Sequence, residues 1–172
     1  MNDYYHIGKM VATHGLAGEL VLEHALGVKT DFKGLQTLFI EEGKGTFLPY
    51  FIEVCKAKNV TEVYVKLEGL QSPENAKRLA RRDVWLLKSD FDKFVGKSSP
   101  IGLLGYTMIS DGQPIGEVLE VIEQPMQVLC KINYKGNEAL IPLHDQSLEK
   151  IDKKKKLVYV NLPDGLLELY TM

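Results

Sequence analysis

Two partial phosphate-loop strings, four histidines and two cysteines are the residues of this 172-residue chain that first invite a chemical reading. Gly43-Lys44-Gly45-Thr46 and Gly27-Val28-Lys29-Thr30 each echo part of G-x-x-x-x-G-K-[ST], in which backbone N–H groups cradle a phosphate and the lysine closes on it. Neither has the full spacing, so cradle and lysine do not converge. His6, His14, His24 and His144 are scattered, and none has metal-ligand spacing. Cys55 and Cys130 lie far apart without a C-x-x-C. That excludes a disulfide scaffold and reads as two buried thiols in a reducing cytoplasm. Paired acids such as Glu41-Glu42 would alternate sides of a strand and not converge as a dyad. No G-x-S-x-G, H-E-x-x-H or dinucleotide glycine fingerprint occurs. The reading is a binding protein, not an enzyme, with no cofactor and no metal.

Other residues suit binding. His14-Gly15-Leu16-Ala17-Gly18 reads as a tight turn whose glycines supply positive φ, with His14 and Leu16 at an exposed tip. A G-x-x-G clamp of the KH kind joins two helices, whereas strands flank this one. Arg78, Arg81 and Arg82 complement a helix carboxyl end, and beside an open barrel end they would also hold nucleic-acid phosphate. Lys153 to Lys156 reads as a solvated hairpin tip; its other reading is phosphate contact without sequence specificity. Phe91, Phe94 and Val95 sit among Asp, Lys and Ser, either packed on their own domain or offered to a protein partner.

The elements that must position these residues are mostly strands. Short β-prone runs cover residues 5–12, 18–24, 37–41, 50–57, 61–67 and 84–87. In Thr61-Glu62-Val63-Tyr64-Val65-Lys66-Leu67 the alternation puts Val63, Val65 and Leu67 on one face. One helix interrupts the series, with Ser72 as N-cap, Pro73 at its first position, Glu74 in its first turn and Ala76, Leu79 and Ala80 as its apolar face. It reads as a plug between two barrel strands. Residues 89–98 break the pattern and read as a linker. Strands return at 103–109, 114–123, 128–134, 138–142 and 157–161, with Asp111-Gly112 and Lys135-Gly136-Asn137 as turns. The expected fold is mainly β: two small β-barrels joined by a short linker, with one short helix in the first. The domains are 1–88, the linker 89–98 and 99–172.

Charge narrows the partners. Residues 1–98 hold 14 basic and 13 acidic side chains, and residues 99–172 hold 7 and 10. Neither half is a polybasic clamp, so nucleic-acid contact must come from local patches. No apolar run is long enough for a membrane span, and the first six residues lack the cationic start and apolar stretch of a signal peptide. The expected location is the cytoplasm, with no membrane contact, as a monomer.

As a set, these residues carry a family resemblance. Ile7-Gly8-Lys9-Met10-Val11-Ala12-Thr13-His14-Gly15-Leu16-Ala17-Gly18-Glu19-Leu20 resembles the opening signature of the RimM ribosome maturation factors. The likeness continues through Val65-Lys66-Leu67-Glu68-Gly69-Leu70 and the helix over 76–82. The second half resembles a PRC barrel in Leu104-Gly105, Asp111-Gly112, Ile115-Gly116-Glu117-Val118, Ile141-Pro142 and Leu162-Pro163-Asp164-Gly165-Leu166-Leu167. The resemblance implies an assembly factor that binds the free small ribosomal subunit near its head and aids maturation and small-subunit rRNA processing. Its implied partners are ribosomal protein nineteen of the small subunit and small-subunit rRNA, and no cofactor is implied. Candidates for the ribosomal-protein contact are Phe91, Phe94, Leu103 and Tyr106; candidates for rRNA are His14, Leu16, Arg78, Arg81 and Arg82. Many members carry an aromatic pair before the Leu-x-Gly of the second barrel, where this chain has Ser98-Ser99. Phe91 and Phe94 take over that role, or Tyr106 does, or the interface is built differently. The alternatives from other classes are an rRNA-processing enzyme, which needs an acid–base pair or metal cluster, and a PRC-barrel adaptor not tied to ribosomes.

Overall fold

The structure, a computed structural model, describes residues 3–96 and 99–171. It divides into two compact units, Met1–Gly102 and Leu103–Met172. Both are built mainly from strands, as expected.

The first unit is a closed six-stranded barrel: β1 (Tyr4–His14), β2 (Glu19–His24), β3 (Thr37–Gly43), β4 (Thr46–Ala57), β5 (Glu62–Leu67) and β6 (Asp83–Leu87). The order around the barrel is β1-β2-β5-β4-β3-β6, with every neighbouring pair antiparallel. Closure removes the free strand edges that an open sheet would leave. Period-two alternation fills the interior with Leu20 and Leu22, Leu38 and Ile40, Val63, Val65 and Leu67, and Val84 and Leu86, all fully buried. In β1 the buried residues Ile7 and Met10 are three apart, because register shifts lie between His6 and Gly8 and between Met10 and Ala12. A side chain at position 8 would drive its Cβ into the Glu23 carbonyl oxygen, which is why glycine stands there.

Strand direction fixes where the connections fall. β1, β3 and β5 run toward one barrel end, so that end gathers the β1–β2 turn, the β3–β4 turn and the 68–82 segment between β5 and β6. That segment contains α1 (Pro73–Lys77), whose N-cap Ser72 accepts from the Asn75 amide at 3.3 Å. Ala76 and Leu79 are fully buried there. The helix is shorter than its sequence suggests: Arg78 is its C-cap, and Arg81 takes the left-handed φ of 69°. Arg81 and Arg82 therefore belong to the turn that returns the chain to β6.

The expected linker is instead part of the first unit. Residues Lys88–Phe94 form a second helix, α2, at the opposite barrel end. Phe91 is 1% exposed and meets Tyr5 edge-on at 5.0 Å, while Phe94 meets Phe32 at 5.4 Å. Beyond the helix, the Gly96 amide donates to the Leu26 carbonyl at 2.8 Å and the Ser99 hydroxyl to the Ala25 carbonyl at 3.0 Å. The unit boundary accordingly falls after Gly102, not at Ser98. Ser98 itself lies outside the described residues.

The second unit contains two sheets. One has the order β11-β10-β9, from β9 (Glu120–Glu123), β10 (Val128–Tyr134) and β11 (Asn137–Leu143). The other has the order β12-β13-β7-β8, from β7 (Thr107–Ser110), β8 (Gln113–Glu117), β12 (Leu148–Asp152) and β13 (Leu157–Val160). β13 pairs with β7 in parallel. Met108, Val118, Cys130, Ile132, Ala139, Ile141 and Val158 form the fully buried core. The sheets come together at Gly116, where an added Cβ would lie 2.9 Å from the Asn133 carbonyl oxygen. Three details differ from expectation. Residues 103–106 begin in a 3₁₀ turn (Pro100–Leu103), residues 114–123 divide between β8 and β9, and β12 was not expected.

Candidate functional site

The turn between β1 and β2 and the residues after α1 place His14, Leu16, Arg78, Arg81 and Arg82 at one end of the first barrel. Leu16 is 89% exposed at the turn tip. Gly15 and Gly18 take φ of 70° and 84°. Gly18 also lies against the 70–72 backbone, where a Cβ would sit 2.4 Å from the Leu70 carbonyl oxygen. The turn is thus clamped to the segment that leads into α1. His14 lies 4.3 Å from Tyr64, ring to ring, and the Lys58 ammonium is 5.7 Å from the same Tyr64 ring. His14 is therefore exposed yet held by an aromatic neighbour.

The three arginines divide by role. The Arg82 Nη1 donates to the Glu42 carbonyl at 3.0 Å, so Arg82 ties α1's exit to the β3–β4 turn and is half-buried. Arg78 and Arg81 are exposed and make no ion pair among the described residues. Burial, a hydrogen bond that the phenol donates to the Glu42 carboxylate and the negative charge of that carboxylate hold Tyr50 above its ordinary value, and the positive charges of Arg78 and Arg82 oppose that shift. Tyr50, Glu42, Arg78 and Arg82 therefore share one electrostatic neighbourhood. The surface thus carries two exposed guanidinium groups, with a polar aromatic and the Glu42 carboxylate at its margin.

The ribosomal-protein candidates separate. Phe91 is buried in the first unit, so it is a core residue and not a contact. Phe94 is half-buried against Phe32. Leu103 and Tyr106 are half-buried in the second unit, where the Tyr106 amide donates to the Leu103 carbonyl at 3.0 Å.

Sequence reasoning missed an aromatic layer on the outer wall of the first barrel. Tyr4 lies 4.8 Å from Phe39 and 5.0 Å from Phe47, and Phe47 lies 4.6 Å from Trp85. His6 stacks beside Trp85 at 5.1 Å and contacts Asp83 at 3.1 Å. Glu41 fastens this layer to the β3–β4 turn, accepting from Trp85 Nε1 at 3.2 Å and from the Gly45 amide at 2.9 Å. The signal was present as aromatics at outward positions, but it required the register pairs Phe39↔Trp85 and Glu41↔Phe47.

Burial pushes both the Cys55 and Cys130 thiols up to about 12, with Asp31 adding to the effect at Cys55. Both are neutral at physiological pH and poor nucleophiles. Among the described residues no group of three or more His, Cys, Asp or Glu side chains is placed to hold a metal. No helix there is long and apolar enough to cross a membrane. What remains is an exposed loop and two free guanidinium groups on a rigid barrel, an arrangement suited to binding an anionic surface.

Comparison with known proteins extends over the whole chain. Residues 5–91 match the RimM N-terminal domain, and residues 100–166 match the RimM PRC barrel domain. The chain is 32% identical to the ribosome maturation factor RimM of Parabacteroides distasonis, covering 97% of each chain. It is 30% identical to that of Phocaeicola vulgatus, covering 96% of this chain and 98% of the other, and 30% identical to that of Bacteroides thetaiotaomicron, covering 97% and 94%. Both domains occur in order and across nearly the full length of these relatives, and the chain belongs to the RimM family of ribosome maturation factors.

Proposed function

We propose that the protein is an assembly factor of the cytoplasm that binds the free small ribosomal subunit at its head and acts by binding, not by catalysis. It holds ribosomal protein nineteen of the small subunit together with adjacent small-subunit rRNA, aids maturation and rRNA processing there, and leaves the mature particle. It works as a monomer without a cofactor. A ligand selective for one conformation of the particle shifts the population toward it without covalent chemistry. The observation that carries this reading is the full-length match to ribosome maturation factors. The barrel end that gathers His14, Leu16, Arg78 and Arg81 supplies a surface for rRNA. In the second unit, Leu103 and Tyr106 are the contacts for the ribosomal protein, and the acidic excess of residues 99–172 steers a basic partner.

Co-sedimentation with free small subunits, mature large subunits and joined ribosomes tests the proposal. Selective recovery with free small subunits is expected. Equal recovery with all three, or none with any while the protein is folded, would overturn it and favour an adaptor not tied to ribosomes.

A further inference from the structure

The second unit concentrates its positive charge at one point. Residues 99–172 hold seven lysines and ten acids, yet residues 150–156 contain five of those lysines and only one acid, Asp152. Lys153, Lys154, Lys155 and Lys156 form the turn between β12 and β13, and all four are exposed. None has an ion-pair partner among the described residues. Lys131, elsewhere in the unit, contrasts with them, lying 3.0 Å from Glu120 and 3.9 Å from Glu138.

The tip is also fixed at its base. The Lys155 amide donates to the Asp152 carboxylate at 3.0 Å, Lys156 takes a φ of 56°, and its carbonyl accepts from the Thr107 amide at 2.9 Å. The turn is thereby bonded to the start of β7, one residue after Tyr106. Four ammonium groups on a short anchored turn repel one another, and a polyanion relieves that repulsion while releasing its own counterions. The four tip residues offer no apolar side chain to insert into a membrane, whereas a phosphodiester chain requires only charge.

We propose that the β12–β13 turn is a sequence-independent contact for the phosphate backbone of RNA, separate from the arginine surface of the first barrel. The choice of RNA among polyanions rests on the proposed role in ribosome maturation. The acidic remainder of the unit leaves this contact local, so the tip engages RNA while other surfaces face protein.

The test titrates the full chain with a fluorescein-labelled RNA hairpin across potassium chloride concentrations. The variant combines Lys153→Gln, Lys154→Gln, Lys155→Gln and Lys156→Asn, the last chosen because asparagine tolerates positive φ. At roughly 0.7–0.9 in slope per phosphate neutralised, two to four lost contacts flatten the plot of log K against log salt by about 1.4–3.6 and weaken low-salt binding on the order of tenfold. Replacing the same four lysines with arginine retains both affinity and slope. An unchanged slope in the folded glutamine variant would overturn the proposal. So would equal loss in the arginine variant, which would mark a conformational effect, or capture of phosphatidylserine vesicles without capture of RNA. Co-sedimentation with small subunits fails independently: RNA binding through the tip without particle binding removes the ribosomal role and keeps the RNA contact.

Discussion

Gly15 and Gly18 share a turn and a left-handed backbone but not a cost of substitution. A Cβ at Gly15 meets nothing within 4 Å, so Gly15→Ala bears only the conformational penalty of about 1–2 kcal/mol. At Gly18 the same penalty is joined by collision with the Leu70 backbone, and roughly 3 kcal/mol or more is expected. Urea denaturation of the two variants checks the order, and an equal cost would show that the 70–72 segment yields freely. The residue scale also carries a pH dependence. His24 is 3% exposed, its Nδ1 accepts from the Leu26 amide at 3.2 Å, and its Nε2 has no hydrogen-bond partner among the described residues. Burial holds its pKa below the ordinary 6.5, so the unfolded chain binds the proton more readily. Stability from His24 is present above about pH 6.5 and falls as pH drops toward the folded value. His24→Asn, which keeps an acceptor but does not titrate, is expected to flatten the loss of stability as pH falls below about 6.5 in urea denaturation. The glycine turn was legible because the spacing of glycines states a backbone requirement. The bond from Leu26 to His24 was not, since it depends on how the loop after β2 closes over the barrel.

Elements were legible where a local pattern sufficed. Alternation in β5 placed Val63, Val65 and Leu67 inside, and Ser72-Pro73 marked the start of α1. Residues 89–98 show the opposite case. Ser, Asp, Lys and Gly give the composition of a linker, while the three-residue spacing of Phe91 and Phe94 is that of one helix face. What decides between them is tertiary: Tyr5 and Phe32, far away in sequence, supply the surface that α2 covers. Phe91→Ala is therefore expected to destabilise the first unit by about 3–5 kcal/mol. Hydrogen exchange locates the effect, with protection falling in β1 and β6 and unchanged in β10 and β11. Protection lost equally in both units, or in neither, would contradict the assignment of α2 to the first barrel. β12 escaped notice for a related reason: Leu148-Glu149-Lys150-Ile151-Asp152 is polar and short, and pairing with β13 makes it a strand.

For the whole molecule, a net formal charge of −2 conceals the separation that matters for an anionic particle. Arg78 and Arg81 stand free at one end of the first barrel, whereas Arg82 is occupied by the Glu42 carbonyl. Reversing all three charges would confound binding with the loss of a structural bond. Arg78→Glu combined with Arg81→Glu isolates the electrostatic part. If these two side chains meet rRNA phosphate, removing about two contacts lowers the salt slope of small-subunit binding by roughly 1.4–1.8, and the loss of affinity is largest at low salt because the contacts are screened. Arg82→Lys gives the complementary outcome. Lysine keeps the charge but lacks the guanidinium that reaches Glu42, so stability falls while the salt slope holds. Affinity measured by co-sedimentation across potassium chloride separates the two variants. An unchanged slope in the double reversal, with the barrel intact by circular dichroism, would move the rRNA contact away from this end.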